Sequence, residues 1–99
     1  MKVSKLLKIV DSIVPLEIAF EDDLVGLTIG SEENEVNGII IAHELDRQLL
    51  KHCSDSNINT VISYHPPSFK KILDNDNNES FVPESTTLEF IESSMNVIT

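Results

Sequence analysis

The sequence is short of basic residues, has one cysteine and no glycine-rich phosphate loop, and lacks any long apolar run; each shortage removes a class of function. Its 7 Lys and Arg stand against 17 Asp and Glu, giving a formal charge of -10. That balance opposes broad contact with phosphate backbones or anionic lipid, so neither nucleic-acid binding through a basic face nor membrane binding is expected. Cys53 is alone and cannot form an internal disulfide, so nothing asks for an oxidising compartment. It falls on the apolar side of an expected helix, with no CxxC or histidine at metal spacing, which reads as packing rather than catalysis. No apolar stretch approaches the ~20 residues of a membrane span, and Lys5 and Lys8 interrupt the opening pattern where a signal peptide would be unbroken. The expectation is a soluble, cytoplasmic protein. Gly26 and Gly30 belong to neither a GxGxxG nor a GxxxxGK pattern, which leaves a turn and a tight packing contact as their uses.

What remains is one domain of 99 residues with a thin core. The acidic excess lies mostly in Glu17 to Glu35 and Asp74 to Glu92 and reads as solvated surface, with a cationic partner as the alternative. The stretch that organises the chain is Asn59 to Phe69. Thr60, Val61 and Ile62 are β-branched and suit a pleated surface, whereas Pro66 and Pro67 cannot donate to a ladder, so a strand ends near His65. His65 precedes a proline and is biased to extended backbone, which holds its imidazole on a stiff shelf at a strand's carboxyl end. A metal ligand and a structural polar strand end are its two readings.

In chain order, Val3, Leu6, Leu7, Val10 and Ile13 follow helical spacing, with Ser4 as N-cap and Pro15 closing the run. Leu16 to Asp23 is acidic and irregular, and Leu24 to Gly30 reads as a short strand. Val36 to Ala42 is a nearly continuous apolar strand, expected to be central. Glu44 to Ser54 is a helix with Leu45, Leu49 and Cys53 on its apolar side, Glu44 and Asp46 in its first turn, and Lys51 and His52 in its last. The strand Ile58 to Tyr64 follows, so the order is strand, helix, strand, and a right-handed crossover between parallel neighbours is expected. His43 and His65 would then leave the same carboxyl edge with Glu44 beside them, converging only if register places both on one side.

Lys70 to Leu73 leads into a polar loop, Asp74 to Ser80. Its Asp74, Asp76 and Asn78 alternate like a calcium loop, but the glycine and closing glutamate are missing. Thr86 and Glu89 read as a capping box for a last helix with the stripe Leu88, Ile91 and Met95, running to about Ser94. Asn96 to Thr99 looks like a strand just begun.

Three segments resemble the amino-terminal part of the Nif-three-like family, also named GTP cyclohydrolase I type 2 homologues. Val3-Ser4-Lys5-Leu6-Leu7 through Pro15-Leu16-Glu17 is similar to the family's opening helix, and Asp23-Leu24-Val25-Gly26-Leu27 to its Asp-Asn-Val-Gly-Leu. Ile62-Ser63-Tyr64-His65-Pro66-Pro67-Ser68-Phe69-Lys70 is similar to its Ile-Ser-His-His-Pro-Pro-Ile-Phe-Lys, the most specific of the three. The resemblance implies an α/β fold, a mainly parallel βαβ-based sheet flanked by helices, and toroidal hexamers. It also implies two divalent metals, of zinc, iron or manganese type, in each subunit's cleft. His65 carries over as a metal ligand. Tyr64 replaces the first of the family's paired histidines and would act as an outer-shell hydrogen-bond donor. Glu44 stands where the family has aspartate after Ala-Leu, with His43 in place of the leucine; both are possible additional ligands. The family's further ligands would follow Thr99, so residues 1–99 are expected to form a single truncated domain with an incomplete metal site. The functional expectation is a metal-dependent, hydrolase-type domain of unsettled substrate. Its rival is a non-catalytic interaction module that binds its own copies or another protein.

Overall fold

The structure, a computed structural model, describes residues 1–13 and 26–99. Nine elements follow in chain order among these: α1 (Val3–Ile13), β1 (Leu27–Ile29), β2 (Ile39–Ala42), α2 (Arg47–Asp55), β3 (Thr60–Ser63), β4 (Phe69–Leu73), β5 (Glu79–Pro83), α3 (Ser85–Glu92) and β6 (Asn96–Ile98). The fold is α/β, as expected: a sheet of order β1-β6-β3-β2 flanked by helices, plus a separate β4-β5 hairpin. Within the four-stranded sheet β3 pairs in parallel with β2 and with β6, and β1 pairs antiparallel with β6; the β4-β5 hairpin is antiparallel as well. The β2-α2-β3 unit therefore joins adjacent parallel strands, as its residue order implies.

The pleat of β3 sets the core. Val61 lies level with Ile40 on one neighbour and Val97 on the other. It packs in a cluster with Ile29, Cys53, Phe90, Met95 and Val97, and Ile40, Ala42, Leu45, Leu49, Leu50 and Ile58 close over that cluster. Cys53 is buried, and burial pushes its thiol pKa up, so it is a packed, protonated thiol as its place on the helix suggested.

Several expected details shift. β2 is an edge strand, not a central one: its residues alternate in exposure, and Ile41 is 80 % exposed. The sheet grows from β3 toward β6, so the centre is taken by residues 96–98. The strand expected to be just begun is accordingly fully buried between β1 and β3, and the open apolar edge lies at β2 instead. β2 also starts only at Ile39, because Gly38 turns the chain at φ 74°.

The helix starts move for hydrogen-bonding reasons. α2 begins at Arg47 because the Asp46 carboxylate accepts the Leu49 N–H at 2.7 Å, so Glu44 lies before the helix rather than in its first turn. Ser4 lies inside α1 and does not cap it. The carbonyls of Asn34 and Glu32 accept the N–H groups of Val3 at 2.8 Å and Ser4 at 3.0 Å, leaving a side-chain cap without a task. Pro15, the irregular stretch 16–23 and the opening of the expected strand at 24–25 lie outside the described residues. Thr86 sits within α3, whose N-cap is Glu84 with no side-chain cap bond, and the helix ends at Glu92. Its buried face carries Thr87 and Phe90, while Leu88 and Ile91 are each 41 % exposed.

The polar loop after Leu73 is the tip of a hairpin. β4 and β5 pair from Phe69↔Pro83 to Leu73↔Glu79, with a Lys71–Glu79 ion pair at 2.7 Å. The Asp74 carboxylate accepts the N–H groups of Asp76 at 2.8 Å and Asn78 at 2.9 Å, and Asn77 takes the left-handed conformation at φ 62°. The Asn78 N–H bond, with help from that of Asp76, holds the Asp74 pKa below the usual carboxylate range. The alternating acids thus have a turn to build.

Gly30 marks the tight contact that its sequence position suggested. It sits at φ +102°, and a Cβ there would run into the Asn96 side chain. Asn96 is fully buried, and its Oδ1 accepts from Asn34 Nδ2 at 2.8 Å. Gly30→Ala is expected to lower unfolding free energy by about 1–3 kcal/mol through backbone strain alone. Urea unfolding of the two proteins measures it.

Candidate functional site

The site begins where β2 and β3 stop. Their ladder continues one step past the strands: the Tyr64 N–H donates to Ala42 O at 3.1 Å and the His65 N–H to His43 O at 2.8 Å. The Ser63 hydroxyl donates to His65 O at 2.9 Å, so the backbone of His65 is held on both sides before Pro66. Strict alternation would send Tyr64 and His65 to opposite faces. The chain bends as it leaves each strand, and alternation lapses.

Three rings meet as a result. His43 and Tyr64 stack with centroids 5.3 Å apart and planes 7° from parallel. His65 meets His43 edge-on at 4.5 Å and Tyr64 edge-on at 5.1 Å. All three are exposed, Tyr64 to 75 %. The convergence that the sequence left conditional on register is therefore realised for His43 and His65, with Tyr64 between the two strand ends.

His65 also belongs to the wall of a cleft of about 500 Å³ formed with Glu44, Leu45, Pro67, Glu84 and Thr87 among others. The stiff shelf after His65 is one side and the amino end of α3 is the other. They are fastened together by two bonds, Ser68 N–H to Thr87 Oγ1 at 3.0 Å and Glu84 N–H to Ser68 O at 3.0 Å. Glu84 to Thr87 were not among the expected site residues. The available signal is the polar run Glu84-Ser85-Thr86-Thr87 directly after Pro83, of which the sequence reading uses only Thr86, with Glu89, as a capping box.

Glu44 shares the cleft with His65. Among the described residues, however, no three His, Cys, Asp or Glu side chains are grouped to hold one ion. The donor chemistry suits a divalent metal, with two imidazoles in ring contact and a carboxylate in the same cleft. Among the described residues these donors, two imidazoles and a carboxylate, are spread over the ring cluster and the cleft, not gathered on one point.

Parallel strands that end side by side at a histidine pair, next to a cleft, define an α/β protein with that cleft at the carboxyl edge of its sheet, where such folds commonly bind ligands. More narrowly, the chain belongs to the Duf34/NIF3 (NGG1p interacting factor 3) family, whose model matches residues 1–99. Proteins named GTP cyclohydrolase 1 type 2 homolog from Staphylococcus aureus and Staphylococcus epidermidis are 36 % and 32 % identical to it over 72 residues, 73 % of this chain. The chain spans 20 % of the length of those relatives. The crystal structure of a Staphylococcus aureus hypothetical protein superposes with a TM-score of 0.82 at 31 % identity, covering 99 % of this chain and 32 % of that one. Reduced HcgD from Methanocaldococcus jannaschii shares the fold, with a TM-score of 0.75 at 17 % identity over 99 % of this chain and 38 % of its own.

The fastening of the cleft is open to direct test. In Thr87→Val the Ser68 N–H loses its acceptor inside a nearly isosteric site. We expect a loss of about 1 kcal/mol in stability and faster hydrogen exchange at the Ser68 amide. Unchanged exchange there would mean that Thr87 does not hold the shelf.

Proposed function

We propose that residues 1–99 form one domain-building part of a divalent-metal-binding, hydrolase-type protein, with His65 as a ligand to a metal of zinc, iron or manganese type. The observation that supports this most is the fixed position of His65. Its backbone is bonded to His43 and Ser63, and its ring stands at the carboxyl edge of a parallel sheet beside a cleft. Two carboxylates in that cleft, Glu44 and Glu84, favour a cation over an anionic guest. A metal there would act as a Lewis acid on a bound substrate or water. Tyr64, in edge contact with His65, would help to orient the imidazole from outside the coordination shell. Family membership fits this reading, while the substrate is left to the remainder of the longer proteins.

Isothermal calorimetry with zinc chloride tests the ligand role. The expected outcome is saturable heat for the wild-type chain that is lost in His65→Ala. Equal heats in the two proteins would overturn the reading.

A second reading has its own observation. Among the described residues β2 is an open strand edge with Ile39 and Ile41 40 % and 80 % exposed, and such an edge can add a strand from another copy of the chain. Self-association through this edge would make the chain a homo-oligomer irrespective of catalysis. With a formal charge of -10 opposing contact between copies, association should strengthen as salt is raised. Sedimentation velocity at high micromolar concentration should show oligomers that Ile41→Lys abolishes. A monomer at every salt concentration would exclude this reading.

A further inference from the structure

We propose that His43 and His65 act together as a two-imidazole site for a borderline transition-metal ion, with His43 reaching it from β2 and His65 from β3. The proposal rests on the reading of His65 as a ligand and adds its partner. Both rings are exposed, and both leave strand ends that a hydrogen bond of 2.8 Å holds level. Their centroids are 4.5 Å apart. Two imidazoles that share one ion, each bound through a ring nitrogen at about 2.0–2.1 Å, have ring centres roughly 4.5–5.5 Å apart. The pair is thus already at chelating distance.

The two rings meet edge to face with planes 83° apart, and each stands beside a neighbour. His43 is stacked on Tyr64 nearly in parallel, which limits its rotation, and His65 is restrained by its backbone bonds on one side and Pro66 on the other. Imidazole donors select nickel, copper, zinc and iron over magnesium or calcium, so the class of ion is a borderline transition metal with water in its remaining positions. His52, the third histidine of the chain, lies in the last turn of α2 and takes no part in the ring cluster.

The chain supplies its own reporter. Tyr64 is its one tyrosine and there is no tryptophan, so ultraviolet fluorescence comes from the ring that touches both histidines. Nickel(II) bound by the pair should quench it. In a titration with nickel chloride, we expect saturable quenching at one ion per chain in the wild type and in His52→Ala. Affinity should fall by more than about tenfold in both His43→Phe and His65→Ala, at least the loss that an outer-shell substitution causes. His43→Phe keeps a ring to stack on Tyr64, and circular dichroism checks that each variant is folded; a second substitution, His43→Gln, separates loss of the ligand from any loss of fold.

If His43→Phe and His43→Gln bind nickel as the wild type does while His65→Ala does not, the two-imidazole site is overturned and His65 remains a ligand. If His65→Ala binds as the wild type does, both readings fall. A wild-type chain without quenching up to millimolar nickel overturns the pair, and the zinc calorimetry then decides the ligand role of His65 alone.

Discussion

The parallel register of β2 on β3 is the constraint on which the functional edge depends. Ile39 to Ala42 lie level with Thr60 to Ser63, and the ladder runs on to a bond between the His65 N–H and His43 O. A slip of one residue would exchange the faces of β2 relative to β3 and break the bond between the His65 N–H and His43 O. The same register delivers the rings of His43, Tyr64 and His65 to one place. Core packing and site geometry are thus set by one pairing, and the histidines need little further support where they stand.

The second support is the shelf. Pro66 and Pro67 end β3 without leaving backbone donors to satisfy, and Pro67 is buried against the fold. Ser68 then spends both of its backbone groups on α3, through Thr87 and Glu84. The cleft is therefore walled by a stiff turn on one side and a helix end on the other, with the hairpin hung outside it.

Much of this was legible in the residues because the signals were local. β-Branched runs at Ile39 to Ile41 and Thr60 to Ile62, with an amphipathic segment between them, specify strand, helix, strand. The two prolines mark where β3 must stop. Strand order was not legible, because it depends on residues far apart: β6 takes the centre through pairings with Thr60 to Ile62 and with Leu27 and Ile29. An apolar run such as Ile39 to Ala42 looks the same at an edge as in the middle. Helix starts were missed where two capping groups competed: Asp46 over Glu44, and backbone carbonyls over the Ser4 hydroxyl. The hairpin escaped notice because Asn77 supplies the left-handed turn residue in a tip that has no glycine. Of the site, the histidines were visible as residue types, whereas the contribution of α3 depended on contacts across 19 positions of sequence.

The central place of β6 has a consequence for how the protein comes into being. Among the described residues β1 bonds to no strand but β6, and β3 has β6 on one whole flank. While the polypeptide is being synthesised, Leu27 to Ile29 emerge early, and their strand partner among the described residues, 96–98, leaves the ribosome after every other described strand. Until then, among the described strands, β3 has β2 alone as its neighbour. Completion of this sheet thus waits on a contact distant in sequence, the kind of pairing whose loop-closure cost slows folding.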